Sequence, residues 1–380
     1  MGAKLGLSYA LVALAVRACV GVSPPEWETA FAQSETHHGD GSHPSVRYSH
    51  GAATWGDEMI VTHGYFYDRA NVSPSWRDDT WGFSLRPPHQ WRKIVPLGGG
   101  ANGTSPHGRY GHALAIHGSD LYIHGGTDGG TRIHGESGFK LQMEFDDLWR
   151  LSLTDQTWEQ LKPRATGHPY GPGKRYLHSA VTVENTIWVY GGSNKSDLWG
   201  WDTEEDYWFQ VIPKPGQKWP GRRQGHSAAE LPEKNGFIVT GGTRWGFGTK
   251  ALLSDVWVFR TKDRTWSLLQ TRGDPTPMPR LYHAIATMNG QMVLHGGSTN
   301  SPGMKCEDET WVYDTFTYTW HELPRAPVAI YHHSIVAHPA TQTVFIFGGH
   351  RCGADSPTHH AYLNSVYKLK IPTATRRDEL

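Results

Sequence analysis

The chain reads as an all-β fold, a six-bladed β-propeller with four antiparallel strands per blade. Three observations predict it. An Arg-Tyr-x-His-like start recurs six times, at Arg47-Tyr48-Ser49-His50, Arg109-Tyr110-Gly111-His112, Arg175-Tyr176-Leu177-His178, Arg223-Gln224-Gly225-His226, Arg280-Leu281-Tyr282-His283 and Ile330-Tyr331-His332-His333. Each start leads into an apolar strand and then a glycine pair. An acidic residue two before a tryptophan follows, then a second tryptophan, giving Trp81/Trp91, Trp149/Trp158, Trp199/Trp208, Trp257/Trp266 and Trp311/Trp320. A period of roughly fifty to sixty residues, with four short strands in each, means radial repetition.

The elements follow in order along each repeat. The first strand follows the His, as in His112-Ala113-Leu114-Ala115-Ile116, and the second precedes the glycines, as in Ile187-Trp188-Val189-Tyr190 before Gly191-Gly192. The third carries the first tryptophan (Asp255-Val256-Trp257-Val258-Phe259) and the fourth the second (Thr265-Trp266-Ser267-Leu268-Leu269). Alternation and β-branched enrichment support strands throughout. The first repeat departs from the pattern, with Gly64-Tyr65 standing for the glycine pair. The sixth has a third strand, Asn364 to Leu369, but no tryptophan-bearing fourth. Pro25-Glu26-Trp27-Glu28-Thr29 resembles Trp158-Glu159-Gln160-Leu161, so the N-terminal segment is expected to close the last blade and cover its edge. Four segments result. Residues 1–23 read as a signal peptide, 24–45 as closing strand and linker, 46–372 as the propeller, and 373–380 as a C-terminal tail.

This pattern resembles the kelch repeat over almost the whole chain after its leader, and the resemblance implies the propeller of galactose oxidase and the kelch proteins. Its recurring arginines allow two readings. They could ring the axis and bind an acidic peptide, as in kelch adaptors, or each could pair with the acid of its own Asp-x-Trp. Repetition in five of the six units favours the second, and the histidines after them read as packing residues.

Charge and address bound the function. Lys plus Arg and Asp plus Glu are both 36, with no basic block, which argues against nucleic acid. Lys4 and the apolar run Leu5 to Val16 read as a secretory signal. Arg376-Arg377-Asp378-Glu379-Leu380 resembles a Lys/His-Asp-Glu-Leu retrieval signal. Together they point to the endoplasmic-reticulum lumen, with secretion as the alternative; no stretch of eighteen apolar residues occurs, so no membrane span is expected after processing. Cys19 leaves with the signal. Cys306 and Cys352 then sit after glycine pairs in neighbouring repeats, where a disulfide is expected in an oxidising compartment. Asn71, Asn102 and Asn194 head glycosylation sequons.

Loop length separates the two faces. Turns between first and second strands and between third and fourth are short. Second-to-third loops and inter-blade links are long, and they emerge together on one face. That face is the predicted binding surface, through Tyr65, Tyr67, Trp76, Arg132, His134, Trp219, Arg244, Trp245, Phe247, Arg351, His359 and His360. Its aromatic rings with Arg and His suit protein hot spots and equally suit sugar faces. The expected function is therefore non-catalytic recognition of a protein partner by a monomer, with a glycan-binding propeller or secreted ectodomain as alternatives. A metal enzyme of galactose oxidase type is the remaining alternative. No metal-ligand spacing such as His-Glu-x-x-His occurs, so neither metal nor cofactor is assigned.

Overall fold

The computed structural model of the chain describes residues 25–32, 41–68, 73–96, 105–129, 132–134, 139–141, 143–162, 171–246, 249–299, 305–352 and 362–372. Six four-stranded antiparallel sheets stand around one axis. The first blade runs outward through Gly51–Trp55, Glu58–Thr62, Thr80–Ser84 and Trp91–Ile94. The next four repeat that order over 113–161, 179–211, 227–268 and 284–323. The sixth is built of Ser334–His338, Thr343–Phe347 and Val366–Lys370, and its outermost strand is Trp27–Phe31 from the other end of the chain.

The closing strand pairs as the repeat predicts. Trp27 lies opposite Leu369, Glu28 opposite Lys368 and Thr29 opposite Tyr367. The Trp27 indole packs on the cluster between blades five and six and donates to the Pro324 carbonyl at 2.9 Å. Glu28 pairs with Lys368 at 3.0 Å.

Period-2 alternation gives every sheet two apolar faces, so each blade buries both. One apolar cluster occupies each seam between neighbours. Val189, Trp199 and Leu148 join the second and third blades, Trp188, Phe237 and Trp257 the third and fourth, and Phe83, Phe345 and Val366 the last and first. The remaining seams hold their own clusters.

Near the axis, backbone hydrogen bonds form two closed circles. In the first, the third residue of each start donates to its counterpart one blade back. Ser49 N–H reaches His332 O at 2.9 Å, His332 reaches Tyr282 at 2.9 Å, and Tyr282 reaches Gly225 at 2.8 Å. Gly225 reaches Leu177 at 3.0 Å, Leu177 reaches Gly111 at 2.7 Å, and Gly111 returns to Ser49 at 2.9 Å. All six have φ between 51° and 62°. In the second circle, the second glycine of each blade donates to the first residue of the next blade's start, as Gly126 does to Arg175 O at 2.9 Å and Gly349 to Arg47 O at 2.9 Å. A Cβ on Gly126 would lie 2.9 Å from His112 Cβ and 3.0 Å from Tyr110 O, at φ +91°. Glycine is required there by both the dihedral and the space.

One expectation is corrected. The pair in the first blade is His63-Gly64, not Gly64-Tyr65. His63 N–H bonds Asp79 O at 3.1 Å as Gly125 bonds Asp147 O at 3.1 Å, and Gly64 bonds Arg109 O at 2.9 Å. His63 holds φ 58° without being glycine. The second-to-third loops also carry structure that length alone does not reveal. Tyr65–Asp68 pairs with Ser73–Trp76, Arg132–His134 with Phe139–Leu141, and Thr243–Gly246 with Thr249–Leu252. Among the described residues, no helix is long and apolar enough to cross a membrane.

Candidate functional site

The motif residues are consumed by the scaffold. Arg47, Arg109, Arg175, Arg223 and Arg280 are at most 1% exposed. Arg47 forks onto Asp79 at 2.7 and 3.0 Å and donates to His63 O at 3.0 Å. Arg109 does the same to Asp147 at 2.6 and 2.9 Å and to Gly125 O at 2.9 Å. Arg175–Asp197, Arg223–Asp255 and Arg280–Glu309 complete the set. Each acid also accepts from the tryptophan two residues on, as Asp79 does from Trp81 at 2.7 Å. Burial would raise the Asp79 carboxyl, but the Arg47 guanidinium overrides it and holds the group well below the usual carboxylate range. Blade six lacks both partners together. Ile330 stands in the arginine position, and Ser365 in the acid position, where it accepts from Gly348 N–H at 3.4 Å. The paired reading of the arginines is thus the one the geometry bears out.

The histidines of the starts wedge into the seams. His178 Cε1 lies 2.9 Å from where a Cβ on Gly125 would sit, and His226 stands in the same relation to Gly191. His50 Nε2 bonds Ser334 Oγ at 2.8 Å, and His226 Nε2 bonds Ser179 Oγ at 2.9 Å. Burial pushes these imidazoles down, His112 and His283 to about 3 and His50, His178, His226 and His333 well below the ordinary value. They are neutral packing groups. Between this layer and the first backbone circle lies an axial cavity of about 120 Å³, bordered by Leu177, Tyr282 and His332.

Above the circle, on the long-loop face, the rings converge. Tyr48 stacks on Tyr362 at 5.3 Å and meets Tyr65 at 5.3 Å, and Tyr65 meets Trp76 at 5.6 Å and Tyr110 at 5.3 Å. The cluster continues through His332, 5.6 Å from Tyr48 and stacked on Tyr282 at 3.7 Å, and through His350, 4.9 Å from both Tyr362 and Tyr331. Gly225 makes this possible, because a Cβ there would lie 2.7 Å from Tyr282 Cε1. Burial and neighbouring phenols push the Tyr282 and Tyr331 hydroxyls up to about 12. These phenols are neutral at neutral pH, so the rings can stack and their hydroxyls can hydrogen-bond.

The predicted site residues divide around this bowl. Tyr65 and Trp76 are part of it. Tyr67 lies on the first-blade hairpin, and Arg132 and His134 on the second-blade one. Trp219 is used inside the fold, donating to Ser196 O at 2.6 Å and packing 6.0 Å from Trp266. Arg244 and Trp245 are exposed on the fourth-blade hairpin, with Lys250 over the Trp245 ring at 5.5 Å. Arg351 is exposed beside Cys352. Phe247, His359, His360, Asn71 and Asn102 lie outside the described residues. Cys306 and Cys352 are joined, Cα to Cα 5.5 Å, tying blade five to blade six. The bowl residues missing from the prediction are Tyr48, Tyr110, Tyr282, Tyr331, His332, His350 and Tyr362. The first five carried a signal, as second or third positions of their starts, and the last two did not.

Comparison with known sequences decides the family. The KLHDC2/KLHL20/DRC7 Kelch-repeats domain matches residues 26–192 and 100–297, and the Kelch motif matches 279–327. The chain belongs to the kelch-repeat family. Kelch domain-containing protein 10 of Homo sapiens is 28% identical to this kelch propeller over 207 residues, covering 52% of the chain and 42% of its own length. Kelch domain-containing protein 3 of Bos taurus is 26% identical over 256 residues, covering 60% of the chain and 64% of its own. The kelch chain thus spans less than two thirds of the length of these relatives. Among its described residues no group of three or more His, Cys, Asp or Glu side chains is placed to hold a metal ion.

Proposed function

We propose that this kelch propeller is a non-catalytic recognition module of the secretory pathway that binds a protein partner through its long-loop face. The observation that carries the reading is the division of labour around the axis. The recurring Arg and His side chains are buried, and the arginines are spent on their half-buried acids, which leaves the partly exposed Tyr48, Tyr65, Trp76 and Tyr110 rings and the exposed Trp245 and Arg351 as chemistry offered to solvent on that face. Aromatic rings framed by arginine are what protein hot spots are made of. The apolar leader, the terminal Asp-Glu-Leu and the Cys306–Cys352 bond support residence in the endoplasmic-reticulum lumen. A glycan ligand is the second reading, favoured by the adjoining Tyr65 and Trp76 rings, a platform of the kind on which sugar faces stack.

Capture from intact secretory-pathway membranes tests this. The wild type is compared with a variant in which Tyr65, Trp76, Trp245 and Arg351 are all changed to Ala, both checked for folding. The expected result is a protein partner recovered at least tenfold less by the variant and insensitive to glycan removal. Loss of the difference after deglycosylation would favour the glycan reading. Equal recovery by both folded proteins would remove this face as the site.

A further inference from the structure

The sequon at Asn194-Lys195-Ser196 sits in a position with a second use. Asn194 occupies the left-handed region at φ 56°, which asparagine tolerates. Its side chain reaches across the seam between blades three and four to the hairpin Thr243–Gly246. Thr243 there pairs with Gln224 through two backbone bonds, 3.0 and 2.9 Å. Two residues along, the N–H and C=O of Trp245 face the same way, beyond the end of that pairing. The Asn194 amide takes both. Trp245 N–H donates to Asn194 Oδ1 at 3.2 Å, and Asn194 Nδ2 donates to Trp245 O at 3.2 Å. The Asn194 N–H donates in turn to Gln224 Oε1 at 3.2 Å. One side chain thus stands in for a strand at the edge of the hairpin that carries Trp245, which is 52% exposed.

A two-point contact of this kind uses one edge of the amide, the oxygen and the hydrogen on the same side of the C–N bond. N-glycosylation makes that amide secondary. A trans secondary amide, the strongly preferred form, puts the nitrogen substituent on the oxygen side and the remaining hydrogen on the other. The sugar would occupy the position of the hydrogen that bonds Trp245 O.

We propose that Asn194 is a latch with two exclusive states: free, it holds the Trp245 hairpin against blade three; glycosylated, it releases that hairpin. In the transfer, Nδ2 forms a bond to the sugar C1 of a lipid-linked glycosyl pyrophosphate, the C1–oxygen bond to the pyrophosphate breaks, and Nδ2 loses a proton. The folded latch engages that hydrogen, so modification must precede docking of blades three and four. The glycan arm rests on the secretory reading above, whereas the latch does not.

The test uses the full chain translated into microsomes that carry oligosaccharyltransferase, under a heterologous signal peptide, beside the purified folded chain offered to the same enzyme. Occupancy of Asn194 is read by mass spectrometry, and hydrogen exchange is read at the Trp245 amide. Two variants accompany the wild type. Ser196→Ala removes the sequon and keeps the latch, and Asn194→Ala removes both. Expected are modification of nascent but not folded chains, and exchange at Trp245 at least tenfold faster in Asn194→Ala and in the glycosylated fraction. Ser196→Ala should match the unmodified wild type, and first-blade amides should stay protected in all. Equal modification of folded chains, absence of modification at Asn194 in nascent ones, or undiminished protection of Trp245 in the glycosylated fraction would each overturn the proposal. Delivery by the chain's own first 23 residues, scored in parallel, fails separately if the secretory reading is wrong.

Discussion

A buried guanidinium is costly unless its whole fork is satisfied, and this chain makes that choice five times. Arg109 shows how the cost is met, with two bonds to Asp147, one to the Gly125 carbonyl and one to the His107 carbonyl at 3.0 Å. Blade six shows the alternative, since Ile330, Ser365 and Tyr367 stand where the other blades have Arg, acid and Trp. Breaking one partner is therefore expected to hurt more than replacing the set. Arg109→Ile should destabilise by about 3 kcal/mol, by leaving the half-buried Asp147 carboxylate without its cation. Adding Asp147→Ser and Trp149→Tyr should recover about half of that loss. Urea melts of the two variants check this, and an equal or larger loss in the triple variant would show that the ion pair contributes more than its own satisfaction. The Arg and acid were legible in the sequence as a pattern. Their pairing was legible only as an inference from repetition.

At the scale of elements, the outermost strand of each blade has the weakest internal claim to order, because one edge faces solvent. Trp27–Phe31 is held by its pairing with Val366–Lys370 and by the Trp27 ring between the last two blades. Removing residues 24–33 should lower the melting temperature of the entire ring rather than of one blade, because the edge it exposes belongs to the closing seam. Trp27→Ala alone should cost about 3 kcal/mol. An unchanged melt would show that the strand is an ornament of a ring already closed. This strand was readable because its Trp-Glu pattern matched the missing fourth strand of the last repeat. The three hairpins of the long loops were not. Tyr65–Asp68, Arg132–His134 and Thr243–Gly246 are too short to show a period, and the third is held at its edge by Asn194 and Gln224, residues far away in the sequence.

For the whole molecule, the histidines set the response to pH. His112, His124, His283, His295 and His332 are pushed down to about 3 by burial, and His50, His63, His178, His226 and His333 also fall well below the ordinary value. Each is neutral in the folded ring and takes a proton in the unfolded chain below about pH 6.5. The unfolded state then binds more protons, so stability falls as pH falls, by about 1.4 kcal/mol per pH unit for each such group. The arginine-paired carboxylates, whose folded pKa values are depressed, add to the loss only below about pH 4. The urea midpoint should therefore drop steeply between pH 6.5 and 5, before the arginine-paired carboxylates titrate. A midpoint flat over that interval would mean that several of these imidazoles are protonated in the folded ring.

The number of blades, the order of strands within them, the closure by the N-terminal segment and the proximity of Cys306 to Cys352 are legible in the chain alone. These are consequences of a repeat, and a repeat is written locally, one unit at a time. Tertiary structure decided what the repeated residues do. It placed His63-Gly64 rather than Gly64-Tyr65 at the axis, because position in the second backbone circle, not glycine count, defines the pair. It gathered Tyr48, Tyr65, Tyr110, Tyr282 and Tyr331 from four blades into one bowl and turned Trp219 inward. It also joined Asn194 to Trp245 across a seam. Such contacts join residues of different repeats, at distances fixed only when the ring closes, and no local pattern encodes them.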